Sequence, residues 1–140
     1  MDKNLINQLL ALPGEELHLK KGEFLFHEGD KAEHFYVVVK GRLSIKKFEA
    51  SGHIFALRLV GPNNVIGEVP LYEENIRTYV FNAIAREDCA VYSIRYDVLE
   101  SAIAKDHSLA IAMMKIYTLH MRRQQAKYRD LLLYGKKGAF

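Results

Sequence analysis

Two hydrophobic periods divide the chain. Between residues 15 and 95, short apolar runs rich in Val, Ile, Phe and Tyr alternate with turn residues; from Tyr96 onward apolar residues recur every three or four positions. A period near two belongs to strands and one near 3.6 to helices. The segments EELHLK, GEFLF, FYVVVKG, RLSIKKF, IFALRLV, a short piece at NVIG, YVFNAIA and AVYSIR predict about eight strands, with EGD, KGR, ASG and GPNN as the turns between them. That many short antiparallel strands predicts a mainly β fold, a jelly roll or barrel. Ahead of it, Leu5, Ile6, Leu9 and Leu10 lie on one face of a short helix that Pro13 and Gly14 end.

The helical region after Tyr96 contains neither Pro nor Gly until Gly135. Asp97 and Asp106 each stand where a capping carboxylate belongs, which predicts a short helix from Asp97 to Lys105 and a long one from Asp106 to about Tyr134. At 1.5 Å per residue the long helix would extend roughly 43 Å, more than the width of a small barrel. Part of its surface is therefore expected to meet a second chain. Leu109, Ala112, Ile116, Leu119, Arg123, Ala126, Asp130 and Leu133 form one heptad seam, the expected interface of a parallel homodimer, and Met113, Tyr117 and Met121 define another face.

Composition narrows the function. The 140 residues, 49% hydrophobic and 26% charged, suit a single ordinary core. A net charge of +3 is too mild to announce a nucleic-acid binder by itself. The basic residues Arg122, Arg123, Lys127, Arg129, Lys136 and Lys137 read as a solvated helix face rather than a DNA patch. A single cysteine, Cys89, excludes an internal disulfide and a four-thiolate cluster within this chain, and fits a reducing compartment. The N-terminus lacks the basic start and apolar run of a secretory signal, and no stretch approaches the roughly 18 apolar residues of a membrane span. A soluble, cytoplasmic protein without membrane partners is expected. The six histidines show neither His-x-His nor His-Glu-x-x-His spacing, so no metal site is expected. Gly-x-Ser-x-Gly and phosphate-cradling Gly-x-x-x-x-Gly-Lys motifs are missing as well, which argues against an enzyme.

The stretch NVIGEVPLYEENIRT, residues 64–78, carries the candidate chemistry. Gly67 permits a close approach of another group, and VIGEVPLYEE can make a single helical turn whose first backbone N–H groups attract an anion, with Val69 a candidate contact. Arg77 can offer a forked contact to that anion, Thr78 a hydroxyl, and Glu68 an acceptor for sugar hydroxyls. Together they suit a phosphorylated sugar. The same spacing is equally consistent with Glu68 and Arg77 pairing with each other around an empty or apolar pocket.

Taken whole, the chain resembles the effector domain of the catabolite activator and fumarate-nitrate regulator (Crp/Fnr) superfamily of bacterial transcription factors. LKKGEFLFHEGDKAEHFYVVVKGRLSIKK is similar to the family's entry motif, NVIGEVPLYEENIRT to the phosphate-binding cassette of the cyclic-nucleotide-binding fold, and LLLYGKKGA to the hinge that follows the dimerisation helix. The resemblance implies a double-stranded β-helix (jelly roll) over residues 1–105, and a dimerisation helix with the start of a hinge over 106–140. It implies that Glu68 meets a ribose hydroxyl, Arg77 and Thr78 a cyclic phosphate, and Lys127 and Tyr128 the base, with cyclic AMP or another small molecule as effector. Two positions depart from the cyclic AMP pattern: Tyr79 replaces a small residue, and Lys127-Tyr128 replace Thr-Ser. DNA contact, in such a regulator, falls to a helix-turn-helix domain outside these 140 residues. A free-standing cyclic-nucleotide module and a ligand-independent member of the same fold are the alternatives.

Overall fold

The computed structural model describes residues 3–73, 75 and 77–130; the side chains of Tyr72, Lys127, Tyr128 and Asp130 lie outside that description. A short helix, α1 (Lys3–Leu10), precedes eight strands: β1 (Glu15–Leu19), β2 (Phe24–Phe26), β3 (His34–Lys40), β4 (Leu43–Phe48), β5 (Ile54–Val60), β6 (Val65–Ile66), β7 (Asn82–Ala85) and β8 (Cys89–Arg95). Two helices follow, α2 (Tyr96–Lys105) and α3 (His107–Asp130). The strands form two antiparallel four-stranded sheets, ordered β1-β8-β3-β6 and β2-β7-β4-β5. Sequence neighbours β3 and β4 thus lie in different sheets, the arrangement expected of a jelly roll.

Apolar residues of both sheets share one core. Phe35, Val37, Leu43, Ile45, Val91 and Ile94 are buried in it, which removes their apolar surface from water. Gly41 makes the β3–β4 turn at φ 78°, and a Cβ there would lie 2.4 Å from the Asp88 carbonyl oxygen, so both conformation and space demand glycine. Leu5, Ile6 and Leu9 of α1 join the same core as Leu109, Met113 and Ile116 of α3. Both helices are therefore fixed to the barrel by the face that carries their apolar residues.

The α2 start differs from expectation. The helix begins at Tyr96 with Arg95 ahead of it, so Asp97 stands inside the first turn and pairs with the Arg95 guanidinium at 3.2 Å. Tyr96 is anchored instead by its hydroxyl, which donates to the Gly67 carbonyl. Asp106 does cap α3: its Oδ1 accepts from the Ser108 and Leu109 amides at 3.0 and 3.3 Å and from the Ser108 hydroxyl at 2.7 Å. These donors hold the Asp106 carboxyl below its ordinary value of 3.8, the Ser108 hydroxyl contributing most. A depressed folded-state value means the cap stabilises fully above the ordinary value and is lost as pH falls through the folded one. Asp106→Ala is accordingly expected to lower the thermal midpoint at neutral pH, with the difference from the wild type vanishing in strong acid; circular dichroism melts across pH check it.

The expected dimer seam is only partly free. Leu109 and Ile116 are 3% and 6% exposed because they pack on the chain's own barrel, which removes them from any surface for a second chain. Met113, assigned to the other face, is buried beside them, whereas Tyr117 and Met121 are exposed. Ala112, Leu119, Arg123 and Ala126 retain access to solvent, and Leu133 lies outside the described residues. Beside α1, residues Ile111, Ala112, Lys115 and Leu119 form the wall of a mostly apolar groove of about 480 Å³ that Asn4, Leu5 and Gln8 complete.

Candidate functional site

The cassette runs from the end of β6 to the approach of β7. Gly67 leaves β6 at φ 86°, where a Cβ would sit 3.2 Å from the His34 carbonyl oxygen and 3.6 Å from the Tyr79 ring. That left-handed backbone turns the chain into a single 3-10 turn, Val69–Tyr72. The turn is the one the sequence predicts, yet it does not present the expected row of free donors. Pro70 has no N–H, and the Leu71 amide donates to the Glu68 carbonyl at 3.3 Å.

Glu68 is 2% exposed, and its carboxylate faces α3 rather than Arg77. Its Oε1 lies 3.6 Å from His120 Nδ1 on α3 and 4.0 Å from Arg58 Nη2 on β5. These partners, with Asn64, Val65, Ile116, Leu119 and Arg123, enclose a cavity of about 20 Å³. Burial pushes the Arg58 guanidinium down from its ordinary value; Glu68 pulls it up and Arg123 pushes it down again. Arg58 from β5 and His120 from α3 thus converge on one acid.

Arg77 turns the other way. Its Nη1 is 2.6 Å from Glu100 on α2, its Nε donates to the Glu73 carbonyl at 3.1 Å, and its guanidinium lies over the Tyr96 ring, 5.5 Å from the centroid. Arg77 and Thr78 line an outer groove of about 540 Å³ with Lys31, Glu33, Asn75, Arg95, Tyr96 and Asp97. Lys31, Arg95 and Arg77 each have an acidic partner there, in Glu33, Asp97 and Glu100. The mutual Glu68–Arg77 pair, one of the two readings the spacing allowed, does not form; neither do the two side chains converge on one space.

Between them stands Tyr79. Its ring is 4% exposed, stacks on Phe26 with centroids 3.8 Å apart, and approaches Tyr36. Its hydroxyl donates to the His34 carbonyl at 2.7 Å, and burial pushes its pKa far above the ordinary tyrosine value, so it remains a donor at every physiological pH. Where the cyclic AMP pattern has a small residue, this chain fills the interior with an aromatic ring.

Of the candidate residues, Gly67, Glu68 and Val69 are consecutive at the α3 side, Arg77 and Thr78 face the α2 side, and the Lys127 and Tyr128 side chains lie outside the described residues. Sequence reasoning passed over Arg58, His120, Glu100 and Tyr96. Arg58 left a faint trace, as a lone charge within the apolar strand IFALRLV; His120 left none. Among the described residues, no group of three or more His, Cys, Asp or Glu side chains is placed to hold a metal ion, and no helix is long and apolar enough to cross a membrane.

Residues 16–106 match the family described as "Cyclic nucleotide-binding domain". The "Anaerobic regulatory protein" of Bacillus subtilis is 34% identical over 99% of this chain and 59% of its own length. The "CRP-like cAMP-activated global transcriptional regulator" of Mycobacterium tuberculosis is 23% identical over 84% of this chain and 52% of its own. The chain thus spans little more than half the length of the curated relatives it matches. Among solved structures, a transcriptional regulator from Thermotoga maritima superposes with a TM-score of 0.79 at 22% identity, covering 96% of this chain and 99% of that one, which shows a shared fold.

Proposed function

Because the chain belongs to the cyclic nucleotide-binding domain family, we propose that it is the effector-sensing and dimerisation part of a bacterial Crp/Fnr-type transcription regulator. In this reading residues 1–105 sense, residues 106–140 dimerise and begin a hinge, and DNA is bound in the cytoplasm by a helix-turn-helix segment of the longer protein. The observation that carries it is the direct meeting of the cassette with the long helix, Glu68 against His120 at 3.6 Å. A sensor must make different contacts with its output element in its two states, and here the candidate ligand residue already touches that element.

Cyclic AMP is the first effector to test, since a relative is named as activated by it. Calorimetric titration of the 140-residue chain is expected to show saturable binding of cyclic AMP that Arg77→Ala abolishes, with cyclic GMP as the comparison ligand. Absence of heat at millimolar concentrations of both nucleotides would remove the cyclic nucleotide as effector. It would favour a second reading, a ligand-independent member of the fold, which the buried Tyr79 ring and the internally engaged Glu68 and Arg77 support.

A further inference from the structure

Strand β6 is the last of one sheet and β5 the last of the other. Residues of both border the cavity of about 20 Å³, and Ile116, Leu119, His120 and Arg123 of α3 wall its remaining side. Two charged side chains meet there without bonding: Glu68 Oε1 and Arg58 Nη2 are 4.0 Å apart. The other carboxylate oxygen, Oε2, and the same Nη2 are sealed from solvent, and neither has a hydrogen-bond partner among the described residues. Leaving such atoms unpaired costs the desolvation of a charged group. Protein interiors therefore pair nearly all of them, and use ordered water where no protein group reaches.

We propose that this cavity is a binding site for one internal water molecule, which donates to Glu68 Oε2 and accepts from Arg58 Nη2. Chemistry selects the occupant. A carboxylate only accepts and a guanidinium only donates, so the molecule between them must do both. Ammonium would serve the carboxylate alone and a halide the guanidinium alone, each against repulsion from the other side chain. Size selects it as well: a water needs roughly 10–15 Å³ of such space, so a cavity of about 20 Å³ takes one and excludes a second, together with any organic hydroxyl. Two hydrogen bonds of about 2.8–2.9 Å through one oxygen atom bridge groups that stand too far apart to bond directly. The water thus turns a pair beyond bonding distance into a continuous link from β5 to the cassette, and pins the edges of the two sheets together beneath α3. Because both anchoring atoms are sealed, it exchanges with bulk solvent only when the cavity wall opens. The site does not depend on the sensing reading above, since Arg77 and Thr78 line a separate groove.

Magnetic relaxation dispersion of water oxygen counts the water molecules that a protein holds for longer than it tumbles. The double variant Arg58→Met/Glu68→Leu replaces both anchors by apolar side chains, an exchange that buried ion pairs commonly tolerate, and an apolar cavity of this kind stays dry. The variant of the 140-residue chain is expected to hold one long-lived water fewer than the wild type; an equal count overturns the site. A crystal structure of the wild-type chain, at a resolution that orders internal water, keeps the test independent of how the variant folds. It is expected to show one density peak within hydrogen-bond length of both Glu68 Oε2 and Arg58 Nη2. A direct bond between these two atoms, or a cavity without density, overturns the proposal.

Discussion

Tyr79→Ala is expected to cost about 3–5 kcal/mol of folding stability, the range for deleting a buried aromatic ring. The ring packs on Phe26 and Tyr36 in an aromatic cluster that Phe26 extends to Phe81, and it lies beside the left-handed Gly67. Removal therefore leaves a void bounded by two strands and the cassette, which packed neighbours can only partly close. Tyr79→Phe keeps the volume and removes only the hydrogen bond to the His34 carbonyl, an expected loss of about 1 kcal/mol. Urea denaturation separates the two: the midpoint falls far more for alanine than for phenylalanine, with the slope unchanged. Equal losses would mean that the hydroxyl, not the ring, is what matters at this position.

The second large effect concerns assembly. With Leu109, Met113 and Ile116 committed to the barrel, two apolar surfaces of α3 remain exposed, one with Met114, Tyr117 and Met121 and the other the groove beside α1; the groove carries the expected seam residues Ala112 and Leu119, the latter 44% exposed on its wall. Burying such a leucine at the centre of an interface, then replacing it by a charge, typically costs 2 kcal/mol or more, roughly a thirtyfold rise in the dissociation constant. Leu119→Glu is expected to shift the chain to monomer while its circular dichroism stays close to wild type: Leu119 borders the small cavity around Glu68, but it is 44% exposed and outside the buried core. Ile54→Glu, on the exposed β4–β5 hairpin, is the matched control, expected to leave assembly unchanged. Dissociation by both or by neither would place the interface elsewhere.

The fold was legible because its signals are local. Alternation such as that of FYVVVK and the glycine-marked turns specify strands without knowledge of their partners, and all eight expected segments are strands in the structure. Asp106 was legible for the same reason: a cap and its donors are neighbours in sequence. Asp97 misled because Arg95, two residues earlier, captures its carboxylate, and nothing local reveals that Tyr96 already belongs to the helix. The heptad seam misled differently. Leu109 and Ile116 satisfy both a coiled coil and a barrel-facing stripe, and only tertiary packing decides between them.

The site was the least legible part. Spacing showed Glu68 and Arg77 close in sequence, and nothing more. Which way each side chain turns depends on charges far along the chain: His120 for one, Glu100 for the other, both on helices packed beside the cassette. No period or motif connects these positions. Tyr79 was visible as a departure from the pattern of cyclic AMP sensors, but that it fills the interior, rather than lining a cavity, follows from the stack on Phe26.

One helix is assigned two surfaces, the barrel of its own chain and the helix of a second. Sedimentation equilibrium of the unmodified 140-residue chain checks this assignment. A species of twice the 16.1 kDa chain mass is expected, which Leu119→Glu reduces to one chain. A mass of a single chain throughout the micromolar range would contradict it, leaving the α3 groove without the partner assigned to it and the sensor without the symmetric output on which the proposed regulation depends.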